Sequence, residues 1–181
     1  MNVRIIAGYY GGRIIEGSGT SRTHPMSERI RNALFNRLQM ELQGATVLDA
    51  FAGSGALGLE SLSRGAISAT FIEKDRVAQK IIAKNIERLQ VENKAHLIRA
   101  RVSAAIKTID QEFDIIFADP PYYDPQFSTV TKLFRLLKPN GLMVLSYPGN
   151  GEVPTGAEVV VVDNRSYGNA ALAFYRKKDA F

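Results

Sequence analysis

Asp119-Pro120-Pro121-Tyr122 is a stretch whose residue types suit chemistry on a flat, nitrogen-bearing ring. It follows Phe113-Asp114-Ile115-Ile116-Phe117-Ala118, a short apolar run that predicts a buried strand. A polar residue at the carboxyl end of such a strand sits where open α/β sheets bind ligands. Two consecutive prolines stiffen the exit and remove two backbone N–H donors. What remains is an acceptor-only surface, the complement of an exocyclic NH2 group on a nucleobase. Tyr122 adds a ring on which that base can stack. The plainer reading is a rigid loop capped by Asp119, because Asp-Pro is a common turn signal.

A second stretch bears on what is bound. Gly53-Ser54-Gly55-Ala56-Leu57-Gly58 matches G-x-G-x-x-G, follows a predicted strand, opens a predicted helix, and has Glu73 twenty residues beyond Gly53. That is the pattern of a dinucleotide site. Asp49 argues against it, since a carboxylate at the same strand exit repels a pyrophosphate at the helix N-terminus. It attracts an ammonium instead. S-adenosylmethionine carries an amino-acid ammonium and a sulfonium and no phosphate, and Asp49-Ala50-Phe51-Ala52-Gly53-Ser54-Gly55 suits it better. Gly53 and Gly55 let the backbone approach the methionine portion, and Glu73 is placed to accept the ribose hydroxyls. Phe51 lines the cofactor pocket or packs in the core.

These residues need a frame, and the chain after Thr46 supplies the rhythm of one. Strands are predicted at Val47–Ala52, Ala69–Glu73, Ala95–Arg99, Phe113–Ala118 and Leu142–Ser146. Helices are predicted at Ala56–Arg64, Arg76–Gln90 and near Ser103–Ile109, with another from Asp124-Pro125 to about Lys138, Asp124 as its N-cap. Pro139-Asn140-Gly141 reads as a turn. Such alternation predicts a doubly wound, mostly parallel sheet. Glu158–Val162 and Ala170–Tyr175, joined only by Asp163–Asn169, predict a terminal antiparallel hairpin. Ahead of this α/β unit (residues 45–181) lies an arm (residues 1–44). There Val3–Ala7 and Arg13–Glu16 predict a β-hairpin, and Ser27 caps a helix carrying Ile30, Ala33, Leu34 and Leu38 on one face. Arg29, Arg31 and Arg37 fall on its other, at least partly exposed faces.

Composition narrows the class. The chain has 181 residues, 45% hydrophobic and 23% charged, an ordinary globular balance for one domain with an appendage. It has no cysteine and only two histidines, His24 and His96, which leaves no typical metal site. No secretory segment or long apolar run is visible, so a soluble, cytoplasmic monomer is expected. The net charge is +5, and residues 1–37 hold six Arg against two Glu. Most of the basic excess therefore sits in the arm, where Arg4, Arg13, Arg22, Arg29, Arg31 and Arg37 form a candidate phosphate-binding set. A merely solvated basic terminus is the alternative.

Taken together the stretches resemble class I S-adenosylmethionine-dependent methyltransferases with an Asp-Pro-Pro-Tyr motif. More narrowly, the chain resembles the RsmD-like guanine-N2 methyltransferases of small-subunit (16S) ribosomal RNA. The likeness runs through Arg4-Ile5-Ile6-Ala7-Gly8 with Gly12-Arg13, Pro25-Met26-Ser27-Glu28-Arg29-Ile30-Arg31 with Ala33-Leu34-Phe35-Asn36, and Tyr167-Gly168 with Leu172 and Tyr175. That family usually has Arg-Pro-Thr where this chain has His24-Pro25-Met26, and Asp in place of Glu28. It often has an Asp facing the adenine region where this chain has Arg101-Val102-Ser103, which leaves the backbone of Val102 for that role.

The resemblance implies a Rossmann-like fold with a seven-stranded sheet, S-adenosylmethionine as cofactor, and ribosomal RNA or the assembling small subunit as partner. It implies no membrane and no metal. Asp119 and the Pro120 carbonyl would accept the hydrogens of the target amine, with Pro121 and Tyr122 completing the motif. An adenine-N6 methyltransferase is the alternative within the class. A nicotinamide oxidoreductase or a non-catalytic RNA-binding protein are alternatives outside it.

Overall fold

A computed structural model describes residues 1–18 and 26–179. Two strands, β1 (Asn2–Arg4) and β2 (Ile14–Glu16), form an N-terminal antiparallel hairpin, followed by helix α1 (Glu28–Leu42). Ser27 caps α1 by accepting the N–H of Ile30 at 3.2 Å, as its side-chain type predicts. Leu34, Phe35, Leu38 and Leu42 turn inward from the helix.

The α/β unit then alternates as expected: β3 (Thr46–Asp49), α2 (Ala56–Ser63), β4 (Ser68–Glu73), α3 (Arg76–Leu89), β5 (Ala95–Arg99), the single turn α4 (Val102–Ala105), β6 (Phe113–Ala118) and α5 (Phe127–Leu133). A 3-10 turn (Phe134–Leu136) leads into β7 (Leu137–Tyr147), and β8 (Val159–Tyr167) and β9 (Ala170–Lys177) close the chain. The seven-stranded sheet runs β5-β4-β3-β6-β7-β9-β8. Its first five members in that order are parallel neighbours, and β9 is antiparallel to both β7 and β8. The order reverses between β3 and β6, so the carboxyl ends of those two strands diverge around a crevice.

Two apolar cores flank the sheet. One joins Val3, Ile5, Ile15, Phe35 and Leu38 of the arm to Val47, Phe71, Ile115 and Phe117 of the sheet. The other gathers Leu48, Ile72, Ile116, Phe134, Leu145 and Tyr175 on the opposite face. The arm is thus packed into the same core as β3 and β6.

Several boundaries differ from the sequence reading: β3 ends at Asp49, not Ala52, α4 is a single turn at Val102–Ala105, α5 ends at Leu133, and β7 starts at Leu137. Four further differences have a clear local reason. The hairpin strands are shorter than Val3–Ala7 and Arg13–Glu16. Ile6 and Ala7 donate their N–H groups to the carboxylate of Glu60 on α2, at 2.8 and 3.1 Å, in place of a ladder. Helix α5 does not start at Asp124, whose N–H closes a turn onto the Pro121 carbonyl at 3.0 Å. The chain is redirected by Gln126 in the left-handed region at φ 48°, and the helix begins after it. Pro139-Asn140-Gly141 is an excursion within β7, because pairing passes from Phe113–Leu137 to Ile115–Leu142 around a left-handed Asn140. Finally, Asp163–Asn169 is mostly strand, with β8 continuing to Tyr167 and the turn confined to Gly168-Asn169. The polarity of Asp163-Asn164-Arg165-Ser166 reflects an exposed sheet edge, where charge discourages pairing with other chains.

Candidate active site

The crevice holds a cavity of about 1170 Å³. Its walls include Asp49, Phe51, Gly53 and Ser54 from the β3–α2 connection, Glu73 from β4, Arg101 and Val102 before and in α4, and Asp119 through Tyr122 after β6. Every residue assigned from sequence to the catalytic motif therefore shares one cavity with most of those assigned to the cofactor.

Asp49 is the last residue of β3 and only 2% exposed. Its Oδ2 accepts the N–H of Gly58, at the third position of α2, at 3.0 Å. A carboxylate thus occupies the helix N-terminus where a pyrophosphate would dock, which opposes the dinucleotide reading. Burial raises the Asp49 carboxyl to about 8, with the Gly58 bond pulling the other way and the charges of Asp119 and Glu73 adding to the rise. The loop between needs glycines. Gly53 and Gly55 sit at φ 58° and 83°. A Cβ on Gly58 would come within 2.4 Å of the Phe71 ring, so this third glycine lets α2 lie close against β4. Phe51 also has a positive φ, 85°, a strained state for a side-chain-bearing residue at the cavity wall.

Glu73 uses both oxygens on backbone: Oε1 accepts from Gly53 and Oε2 from Asp75, each at 2.8 Å. It ties the glycine loop to the start of α3, and each oxygen keeps further acceptor capacity. Val102 opens α4, whose N-cap Arg101 makes no side-chain capping bond.

Asp119 follows β6 and is partly open to the cavity. Desolvation by the surrounding protein lifts its carboxyl to about 6, opposed by a hydrogen bond from Ser146. Tyr122 is 37% exposed and its hydroxyl lies 3.2 Å from Ser146 Oγ. Burial raises the Tyr122 phenol as well. Ser146, on β7 and 4% exposed, therefore links the acid and the aromatic of the motif. The sequence reading missed it, since a serine ending an apolar strand carries no signal until β7 is paired beside β6.

The arm's arginines separate by environment. Arg29 is exposed. Arg13 is exposed, donates to the Arg88 carbonyl at 2.7 Å, and lies over the Tyr10 ring. Arg4 is paired with Glu28. Arg37 pairs with Asp163 at 3.1 Å and lies over Phe174, docking α1 on the sheet. Arg31 corrects the expectation of an exposed face: it is 3% exposed and donates to the Arg4 carbonyl at 3.0 Å. The helix face it occupies is covered by the hairpin, which periodicity within α1 could not reveal. Arg22, with His24 and Pro25, lies outside the described residues. Among the described residues no cluster of His, Asp and Glu could hold a metal, and no helix is long and apolar enough to cross a membrane.

The chain is similar in sequence and fold to known proteins. The family described as Conserved hypothetical protein 95 matches residues 3–176. The chain is 30% identical over 183 residues to the Haemophilus influenzae ribosomal RNA small subunit methyltransferase D, covering 96% of this chain and 93% of that protein. The Escherichia coli protein of the same name is 36% identical over 139 residues, 77% of this chain and 68% of its own length. A solved Escherichia coli structure described as "Putative methyltransferase yhhF" superposes with a TM-score of 0.84 at 31% identity, over 99% of this chain and 100% of that one. The chain belongs to the Conserved hypothetical protein 95 family and is an RsmD-like class I methyltransferase.

Proposed function

We propose that the protein methylates the exocyclic N2 amine of a guanine in small-subunit ribosomal RNA, using S-adenosylmethionine. One observation carries this most: Asp49 and Asp119, ending adjacent strands, face one cavity beside an exposed aromatic ring. The relatives named for ribosomal RNA support the substrate class.

The cavity's chemistry fits the cofactor. Two desolvated carboxyls held above their ordinary range are relieved by a cation, and the helix end that would take a phosphate is closed by Asp49. Asp49 would face the ammonium, Gly53, Ser54 and Gly55 would follow the methionine portion, and Glu73 would accept the ribose hydroxyls. Val102 would meet the adenine through its backbone. When bound, S-adenosylmethionine supplies an electrophilic methyl group on a sulfonium.

The residues of the chain prepare the nucleophile. The lone pair of an exocyclic amine is delocalised into its ring. At neutral pH Asp119, with a carboxyl near 6, is mostly ionised and accepts one N–H of the amine. The Pro120 carbonyl accepts the other. The two acceptors localise the lone pair, aim it, and stabilise the positive charge that develops on nitrogen. As the N–C bond forms and the S–C bond breaks, the surplus proton passes to Asp119 or to water. Tyr122 stacks on the extruded base, a contact of about 1–3 kcal/mol that offsets much of the few kcal/mol needed to unstack it. Pro121 holds the ring's approach rigid.

A loop nucleotide costs less to extrude than a paired one, so the target lies in a loop-like setting, best presented in the partly assembled subunit. The assay is methylation of ribosomal RNA in vitro with labelled cofactor, followed by nucleoside mass spectrometry. Label in N2-methylguanine is expected. Label in N6-methyladenine would transfer the same mechanism to the other exocyclic amine.

A further inference from the structure

Two guanidiniums share a single carboxylate beside the cavity. Glu60 is fully buried, and its Oε2 accepts from Arg64 Nε at 2.8 Å, while Arg31 Nη1 approaches its Oε1 at 3.6 Å. Glu60 also accepts the N–H groups of Ile6 and Ala7. One negative charge thus answers two positive ones. Buried guanidiniums without a full complement of acceptors are costly, and each such donor calls for an account. Arg31 Nε and Arg64 Nη2 are both buried with no hydrogen-bond partner in the protein.

Their surroundings differ. Arg64 lies with its guanidinium 5.2 Å from the Phe35 ring and does not border the cavity. Arg31 does, together with Val3, Ser18 and Met26 of the arm. The other basic residues on the wall, Lys74 and Arg101, are exposed to solvent at its rim. Arg31 is therefore the cation that the interior of the cavity presents among the described residues. Burial also draws its guanidinium below the ordinary value, which a nearby anion would reverse.

Resting on the cofactor reading above, we infer that Arg31 binds the α-carboxylate of the cofactor's amino-acid portion. An α-amino acid carries both charges on one carbon. Asp49 answers the ammonium, and Arg31, which borders the same cavity and whose Nε has no partner in the protein, answers the carboxylate. The arm then helps to build the cofactor site, with α1 supplying its anion-binding wall.

Calorimetry with three ligands tests this: S-adenosylhomocysteine, its decarboxylated analogue with the amine retained, and 5′-methylthioadenosine, which lacks the whole amino-acid part. Wild type should prefer S-adenosylhomocysteine to the decarboxylated analogue by roughly 10- to 100-fold, the range of a hydrogen bond to a charged group. Arg31→Gln should reduce that preference below about threefold, with methylthioadenosine affinity unchanged. Arg31→Lys should retain part of it. A merely structural role for Arg31 would weaken all three ligands together. If Arg31→Gln does not fold, wild type and Arg31→Lys still decide. The inference is overturned if wild type lacks the preference or if a substitution leaves it intact. Binding of none of the three ligands to wild type would overturn the cofactor reading, and this assignment with it.

Discussion

A carboxyl held near 8 makes cofactor binding a proton-releasing event. With its carboxyl raised to about 8, Asp49 is mostly protonated in the free protein at neutral pH. Its proton occupancy is about 0.9 at pH 7 and about a quarter at pH 8.5. An ammonium placed against it favours the ionised form and expels that proton. Binding of S-adenosylhomocysteine should therefore release about 0.9 proton at pH 7. The association constant should rise nearly tenfold from pH 6 to 7 and flatten above about pH 8. Titration calorimetry in two buffers of different ionisation enthalpy reads the proton count directly. Asp49→Asn should abolish it. Identical binding enthalpies in the two buffers at pH 7 would refute the assignment of Asp49 to the ammonium.

The same carboxyl has a stability consequence of definite sign. Its folded value lies above the ordinary carboxylate value, so its favourable contribution is complete below about pH 4 and lost as pH rises through about 8. Each unit of displacement is worth about 1.4 kcal/mol. Asn keeps an acceptor for the Gly58 N–H and removes the ionisation. Asp49→Asn should thus raise the melting temperature of the ligand-free protein more at pH 8.5 than at pH 5.

Other predictions follow from particular contacts. Ser146→Ala removes the donor that lowers the Asp119 carboxyl and the partner of the Tyr122 hydroxyl, so the acid limb of turnover should move above about pH 6 and kcat should fall about 3- to 10-fold. An unshifted pH profile would show that Ser146 does not act through Asp119. Glu60→Gln leaves Arg31 and Arg64 without a buried counter-charge and should cost about 3–5 kcal/mol in denaturant unfolding, with faster amide exchange at Ile6 and Ala7. Removing both Arg13 and Arg29, two exposed arginines of the arm, should lower the slope of log K against log salt for RNA by about 1.4, at roughly 0.7 per phosphate contact with a single strand. An unchanged slope would place the RNA elsewhere.

The Asp119–Tyr122 stretch and the alternation of strands and helices around it were legible without coordinates. Asp119-Pro120-Pro121-Tyr122 follows an apolar run, and buried parallel strands read as such runs because both faces are covered by helices. The glycines of Gly53–Gly58 mark a turn and a close helix–strand approach that side chains forbid. Asp49 at a strand exit argued against phosphate, and its bond to Gly58 supplies the geometry of that objection. Local chemistry of this kind depends on neighbours in the chain, and the chain order records it.

What depended on distant neighbours was decided by the tertiary structure alone. Arg31 falls on a face of α1 that periodicity marks as open, and only the hairpin folded over it makes it a buried cation at the cavity. Glu60 sits in an apolar helix as an apparent exception. Its role appears once Ile6, Ala7, Arg31 and Arg64 are gathered around it from up to 54 residues away. Ser146 joins Asp119 and Tyr122 because β7 lies beside β6, a pairing across a crossover that leaves no local trace. Strand and helix patterns are written in the spacing of apolar residues along the chain. The partners of a polar side chain are set by which surfaces the packed core brings together, and this protein's charge arrangement belongs to that second kind of information.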